Sequence, residues 1–314
     1  MIEIDGITLL SVIPPFSPNL LADAQEMLHH DFMRSAFLAG TVIALVAGVI
    51  SPFIILRRQA FAGDALSHVA FAGVLGAAVL GVNLLVGLFG TTVAVALGIG
   101  LLGERARARD VAIGTVLAWV LGLGVLFLSI YTSTSSGSNG TIGVNVLFGT
   151  IFGLTAQQAN LAAWIGAGAL ALLLLIARPL LFASLDPEVA AARGVPVRAL
   201  GLGFLVLVGV TVGEAVQAVG VLLIFSLLVA PGAIAQRLVA RPFLALALSA
   251  GLALAFTWIG LTIAFYTPYP VSFLISALAF CTYLLVLLGQ QGRTVLTRHM
   301  RSTNPSATAS NVEQ

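Results

Sequence analysis

Read for polarity alone, the chain is a succession of long apolar runs separated by short polar connections. Runs long enough to cross about 30 Å of hydrocarbon, about 20 residues as helix, fall near 33–56, 64–82, 84–102, 111–131, 157–177, 199–213, 217–236, 243–264 and 271–290. This pattern predicts an all-α polytopic membrane protein with about nine transmembrane helices. The 199–213 run is short, which suits a tilted or discontinuous helix. A further apolar stretch, 142–154 (IGVNVLFGTIFGL), follows the polar loop TSTSSGSNG.

The arginines decide how these runs are threaded. Arg57 and Arg58, then Arg105, Arg107 and Arg109, then Arg178, Arg193 and Arg198, then Arg237 and Arg241, and finally Arg293, Arg298 and Arg301 occupy alternate connections. The connections around Gly81–Asn83, Thr132–Thr141, Gly213–Gln217 and Thr267–Pro270 contain none. By the positive-inside rule the first set faces the cytoplasm. The N-terminus is then outside and the C-terminus inside, and Arg34, beside the outer end of the first run, is the exception. If 142–154 crossed the membrane, every later cluster would change sides, so it reads as a re-entrant or interfacial piece. The organisation expected is a peripheral extracytoplasmic arm over 1–31, a transmembrane domain over 32–292 and a polar, disordered cytoplasmic tail over 293–314.

Composition narrows the class. The chain is 59% hydrophobic and 8% charged, with a mean hydropathy of +1.09, against about 25% charged residues in soluble domains. All 14 basic residues are arginine. A Walker A loop requires a lysine to reach the β- and γ-phosphates, so the chain carries no P-loop ATPase of its own. Its single cysteine, Cys281, excludes an internal disulfide or a thiolate cluster and reads as a small core hydrophobe. Residues 1–33 contain no Arg or Lys, so the start has no basic region of the kind a secretory signal needs.

Against this background a few ionisable groups stand out. Asp64 and His68, in RRQAFAGDALSHVAFAGVLG, lie at i, i+4 on one helix face inside an apolar run. Such groups cost about 2.5–3.5 kcal/mol each to place in hydrocarbon and usually face a cavity, an ion path or one another. Carboxylate and imidazole, with Ser67 beside them, suit Mn, Fe(II) or Zn better than a thiolate-preferring ion. Two ligands do not complete a site, and the structural alternative is Asp64 capping a helix start with His68 in a helix contact. Glu214 is the one acidic group between residues 199 and 236. Either Glu214 and Gln217 lie on an outer tip, or broken helices bring both to an internal cavity. Glu26, His29, His30 and Asp31 have metal-ligand character but suit a solvated helix face. In LDPEVAAARGVP, Asp186 can cap a helix that begins at Pro187, Glu188 favours the macrodipole, and Gly194 with Pro196 ends it. Leu185, Val189 and Ala192 would share a face of that short surface helix. Pro231–Gly232, inside the seventh run, predicts a kink.

Taken in order, FMRSAFLAG, ILRRQAFAGDALSHVAFAGV, NVLFGTIFGLT, LDPEVAAARGV and AVGVLLIFSLLVAPGAIAQRL resemble the membrane-permease subunits of zinc/manganese/iron ABC importers, from about residue 32 to 290. The resemblance implies a homodimeric permease of the type II importer fold in a bacterial-type plasma membrane. It implies two partner ATPase subunits, an extracytoplasmic metal-binding protein that delivers the ion, and no nucleic-acid partner. No permanently bound cofactor is implied, because the divalent Mn, Zn or Fe ion is cargo. The segment Asp186, Pro187, Glu188, Val189, Ala192, Arg193 and Gly194 takes the place of the family's coupling helix. Asp64 and His68 match its Asp-x-x-x-His signature, and Glu214 is a further metal candidate without a clear family counterpart. The alternatives are an ABC permease for a metal chelate such as an iron-siderophore, and a self-contained secondary cation transporter that uses Asp64, His68 and Glu214 as relays. A membrane anchor without transport would leave the intramembrane ionisable groups and the capped loop unexplained.

Overall fold

The computed structural model describes residues 27–101, 106–134 and 146–302. The readings that concern the arm before residue 27, including Glu26, the loop 135–145 and the tail after 302 lie outside the described residues. Among the described residues these α-helices follow one another: α1 Asp31–Leu56, α2 Ala60–Leu80, α3 Leu84–Leu101, α4 Ala106–Thr134, α5 Ala156–Leu185, α6 Pro187–Ala192, α7 Val197–Val219, α8 Val221–Leu238, α9 Pro242–Tyr266 and α10 Val271–Ser302. A 3₁₀ turn, Ile151–Gly153, precedes α5. Among the described residues eight helices are long and apolar enough to cross a membrane, and α8 is a shorter apolar ninth.

α1 sits in the middle, packed against α5, α8 and α9, while α2 packs on α3 and α4 and α7 bridges α3 and α5. Helices apolar on every side cannot choose an inward face by hydrophobicity. Small residues make the choice, since they let backbones approach. Ala36, Ala39, Ala44 and Ala47 of α1 are fully buried. α3, α4 and α10 keep most of their surface open.

Two prolines set the α1–α8 contact. Pro52 lies inside α1 and removes the donor that would serve the carbonyl of Gly48. Ser249 of α9 supplies one instead, its Oγ donating to Gly48 O at 2.6 Å. Pro231 lies inside α8. There Ser51 Oγ accepts from Gly232 N–H at 2.8 Å and donates to Val229 O at 3.3 Å. Gln236 Nε2 donates to Pro52 O at 2.8 Å. The expected Pro231–Gly232 irregularity is thus tied to a second one in α1, and α8 runs through it as one helix.

One expectation needs correction. α7 does not end at residue 213 but continues to Val219, and the chain reverses at Gly220, with φ +80° and ψ 167°. Glycine alone adopts that backbone freely, so the turn falls at the next glycine rather than at Glu214. The described part of 142–154 lies across this reversal: Gly149, with φ +78°, lies against Gly220, where a Cβ would meet Gly149 N. Ser272 Oγ of α10 donates to Phe148 O at 3.2 Å, fixing the segment from the other side. α10 runs from Val271 to Ser302, and its apolar, span-length part ends at Gln291. No proline interrupts it before Pro305, so nothing forces an earlier stop.

Candidate functional site

The ionisable groups fall into two places at opposite ends of the bundle. One end is marked by Arg57, whose Nη1 donates to Ser184 Oγ at 3.3 Å at the end of α5 and whose guanidinium lies 5.7 Å from the Phe204 ring in α7. Asp64 and His68 lie in the first turns of α2, about 6 and 12 Å along the axis at 1.5 Å per residue. Glu214 lies in the last turns of α7, about 9 Å before the reversal at Gly220 on the same scale. The structure brings Asp64 and His68 together and keeps Glu214 apart from them.

His68 Nε2 is 3.8 Å from Asp64 Oδ1, with 25% of the His68 side chain and 30% of the Asp64 side chain left uncovered by this chain. The pair therefore shares a face that another body or water must complete. The capping alternative for Asp64 fails: α2 begins at Ala60 after Gln59, which makes no side-chain cap, and Asp64 lies a full turn inside. Ser67 is fully buried, and its Oγ donates to Asp64 O at 2.6 Å within the helix. No group of three or more His, Cys, Asp or Glu assembles among the described residues. A metal held here would take one carboxylate and one imidazole from each chain that contributes.

Glu214 is not on a tip. It is 2% exposed, and neither carboxylate oxygen has a hydrogen-bond partner among the described residues. It borders a cavity of about 430 Å³ that Asn83, Gln158 and Gln217 also line. Of the two sequence alternatives the cavity is the one adopted, without the break at Glu214, since α7 is continuous there. His29, His30 and Asp31 are exposed. The His30 ring stacks on Phe32 at 5.4 Å and Asp31 lies 3.9 Å from Arg34, as a solvated face requires.

The short helix of the Arg57 end forms as its sequence dictates. Asp186 Oδ1 accepts from Val189 N–H at 3.0 Å, Pro187 is the first helical residue, and Glu188 lies in the first turn. Arg193 closes the helix and Gly194 follows with φ +82°. Leu185 and Val189 are 58% and 43% exposed, and Ala192 is exposed beside them. Beside this helix an apolar pocket of about 230 Å³ opens between Phe53, Leu56, Leu181 and Leu185. Sequence reasoning used Arg57 as an orientation marker and missed that it joins the ends of α5 and α7 that flank α6. Its place between two such distant segments has no local signature.

Comparison with known proteins gives the same answer along the chain's length. Residues 29–290 match the ABC 3 transport family. The chain is 32% identical over 227 residues to the manganese transport system membrane protein MntC of Halalkalibacterium halodurans, covering 71% of this chain and 75% of that one. It is 30% identical over 211 residues to the chelated iron transport system membrane protein YfeD of Yersinia pestis, covering 67% and 69%. In three dimensions it superimposes on PsaBC from Streptococcus pneumoniae, solved in complex with Fab, with a TM-score of 0.73 and 26% identity over 85% of this chain and 94% of that one. With nine apolar helices among the described residues, a capped surface helix and a match over residues 29–290, the chain belongs to the ABC 3 transport family of multi-pass membrane transport proteins.

Proposed function

We propose that this chain is the permease subunit of an importer that carries a divalent transition metal, Mn, Zn or Fe, across the plasma membrane. The observation that carries the reading is the Asp64/His68 pair, 3.8 Å apart and partly uncovered, in a chain whose relatives are named for manganese and iron transport. Two copies related by a twofold axis would bring two carboxylates and two imidazoles to one path. These donors replace part of the ion's water shell. The site should be weak, because an ion held tightly is not released.

The energy comes from outside the chain. Two ATPase subunits dock at the face that carries Arg57 and α6, which is cytoplasmic by the arginine distribution, with the N-terminus outside and the C-terminus inside. A metal-binding protein delivers the ion to the opposite face. Closure of the ATPases pushes α6, and Arg57 transmits the displacement to α5, α7 and the start of α2. A chelate permease needs a wide, uncharged path, which the Asp64/His68 pair disfavours. A secondary transporter needs no capped α6.

The test is elemental analysis of cells that lack the chain, grown in limiting metal, with the wild-type and His68→Ala genes restored separately. The expected result is a fall in one of Mn, Zn or Fe that the wild type restores and a comparably expressed His68→Ala chain does not. If no metal content changes while a chelate fails to accumulate, the chelate reading takes its place.

A further inference from the structure

Glu214 presents a problem that the metal path through Asp64 and His68 does not solve. It is a carboxylate with 2% of its surface exposed, in a helix long and apolar enough to span a membrane, with both oxygens unpaired among the described residues. A charge in such surroundings is destabilising by several kcal/mol unless a counter-charge offsets it. The protein makes room for it all the same. On α5 the facing residue is Gly166, where a Cβ would come 2.8 Å from Glu214 Oε1 and 3.2 Å from Oε2. Any larger residue would crowd the carboxylate.

Glu214 is among the residues that line the cavity of about 430 Å³ between α3, α5 and α7. Asn83, Gln158 and Leu161 at its rim are exposed, so the cavity is entered from the arginine-free end. Gln217, one turn on from Glu214 and on the same face, adds a carboxamide. The carbonyl oxygens of Asn83 and Gln158 are engaged in capping, accepting from Leu85 N–H at 2.9 Å and Thr155 N–H at 3.0 Å. The donors that remain are oxygens from Glu214 and Gln217, without imidazole or thiolate in the lining. Oxygen donors of this kind suit hard divalent cations, Mn²⁺ among the transition metals. Six waters fill about 180 Å³ at about 30 Å³ each, so an ion fits with its hydration shell.

We propose that the Glu214 cavity binds a hydrated divalent cation at the arginine-free end of each protomer, separately from the Asp64/His68 pair. It deepens the metal-permease reading and rests on it for the ion's identity. Here the ion meets an oxygen-only site that keeps its water, before the nitrogen-bearing pair strips part of it. The geometry makes this a loading site for an ion just handed over.

The experiment uses the full chain in lipid nanodiscs with Mn²⁺ alone as probe, free ion being read by its paramagnetic resonance signal. In an Asp64→Ala/His68→Ala background Mn²⁺ binding persists, and adding Glu214→Gln, which keeps the shape and removes the charge, raises Kd at least about tenfold. No Mn²⁺ binding in that background overturns the proposal, and so does binding unmoved by Glu214→Gln, which would mean the carboxylate holds only a proton. If the Glu214→Gln chain does not fold, Gln217→Leu decides: weakened binding supports the site, and unchanged binding overturns it. Metal uptake in cells is read in parallel. Uptake that depends on His68 with no binding at Glu214 removes this inference alone, and Mn²⁺ binding at Glu214 in a chain that imports no metal removes the permease reading alone.

Discussion

Single side chains hold together a bundle that hydrophobicity cannot sort. Ser51 is the clearest case, because one hydroxyl serves both Gly232 N–H and Val229 O around Pro231. Ser51→Ala leaves both without that partner in a buried place, which should destabilise the chain by about 1–2 kcal/mol. Gly232→Ala acts through space instead: its Cβ would lie 2.5 Å from Ser51 Oγ and 2.6 Å from Pro52 N. Forcing α1 and α8 apart should be destabilising by about 1–3 kcal/mol. Thermal unfolding of the purified variants in one detergent measures both. Melting temperatures equal to wild type would mean that Gly232 N–H and Val229 O need no side-chain partner.

At the scale of elements, α6 depends on its cap. A six-residue helix is too short to persist on propensity, so Asp186→Ala, losing about 1 kcal/mol of capping, should fray it. Metal uptake should fall while the amount of chain in the membrane stays level. Glu188→Arg places a positive charge at the positive end of the helix dipole and on the exposed side of α6, and is expected to abolish uptake at normal membrane levels. Normal uptake by both variants would remove α6 from the coupling route. α6 was readable from sequence because a cap, a first-turn proline and a terminal glycine are local signals. The end of α7 was not, since glycines at 213 and 220 are equal in sequence and contact with Gly149 selects between them.

For the whole molecule, the arginine distribution predicts sidedness. In a Cys281→Ser background, Thr134→Cys should react with a membrane-impermeant maleimide in intact cells, and Glu188→Cys only after permeabilisation. The reverse pattern would invert the orientation. The sequence by itself determined that the chain is a helical membrane protein with a capped surface helix and an Asp64/His68 pair on one face. Those features follow from apolar run length, local cap chemistry and helical period, which act between near neighbours. Tertiary structure alone decided that Glu214 is buried beside a cavity rather than exposed on a tip. It also decided that Ser67 is turned to its own backbone, and that Arg57 joins α5 to α7. Each of these depends on which distant helix lies alongside, and in a chain apolar on every face only the packing of small residues and stray hydroxyls selects that neighbour.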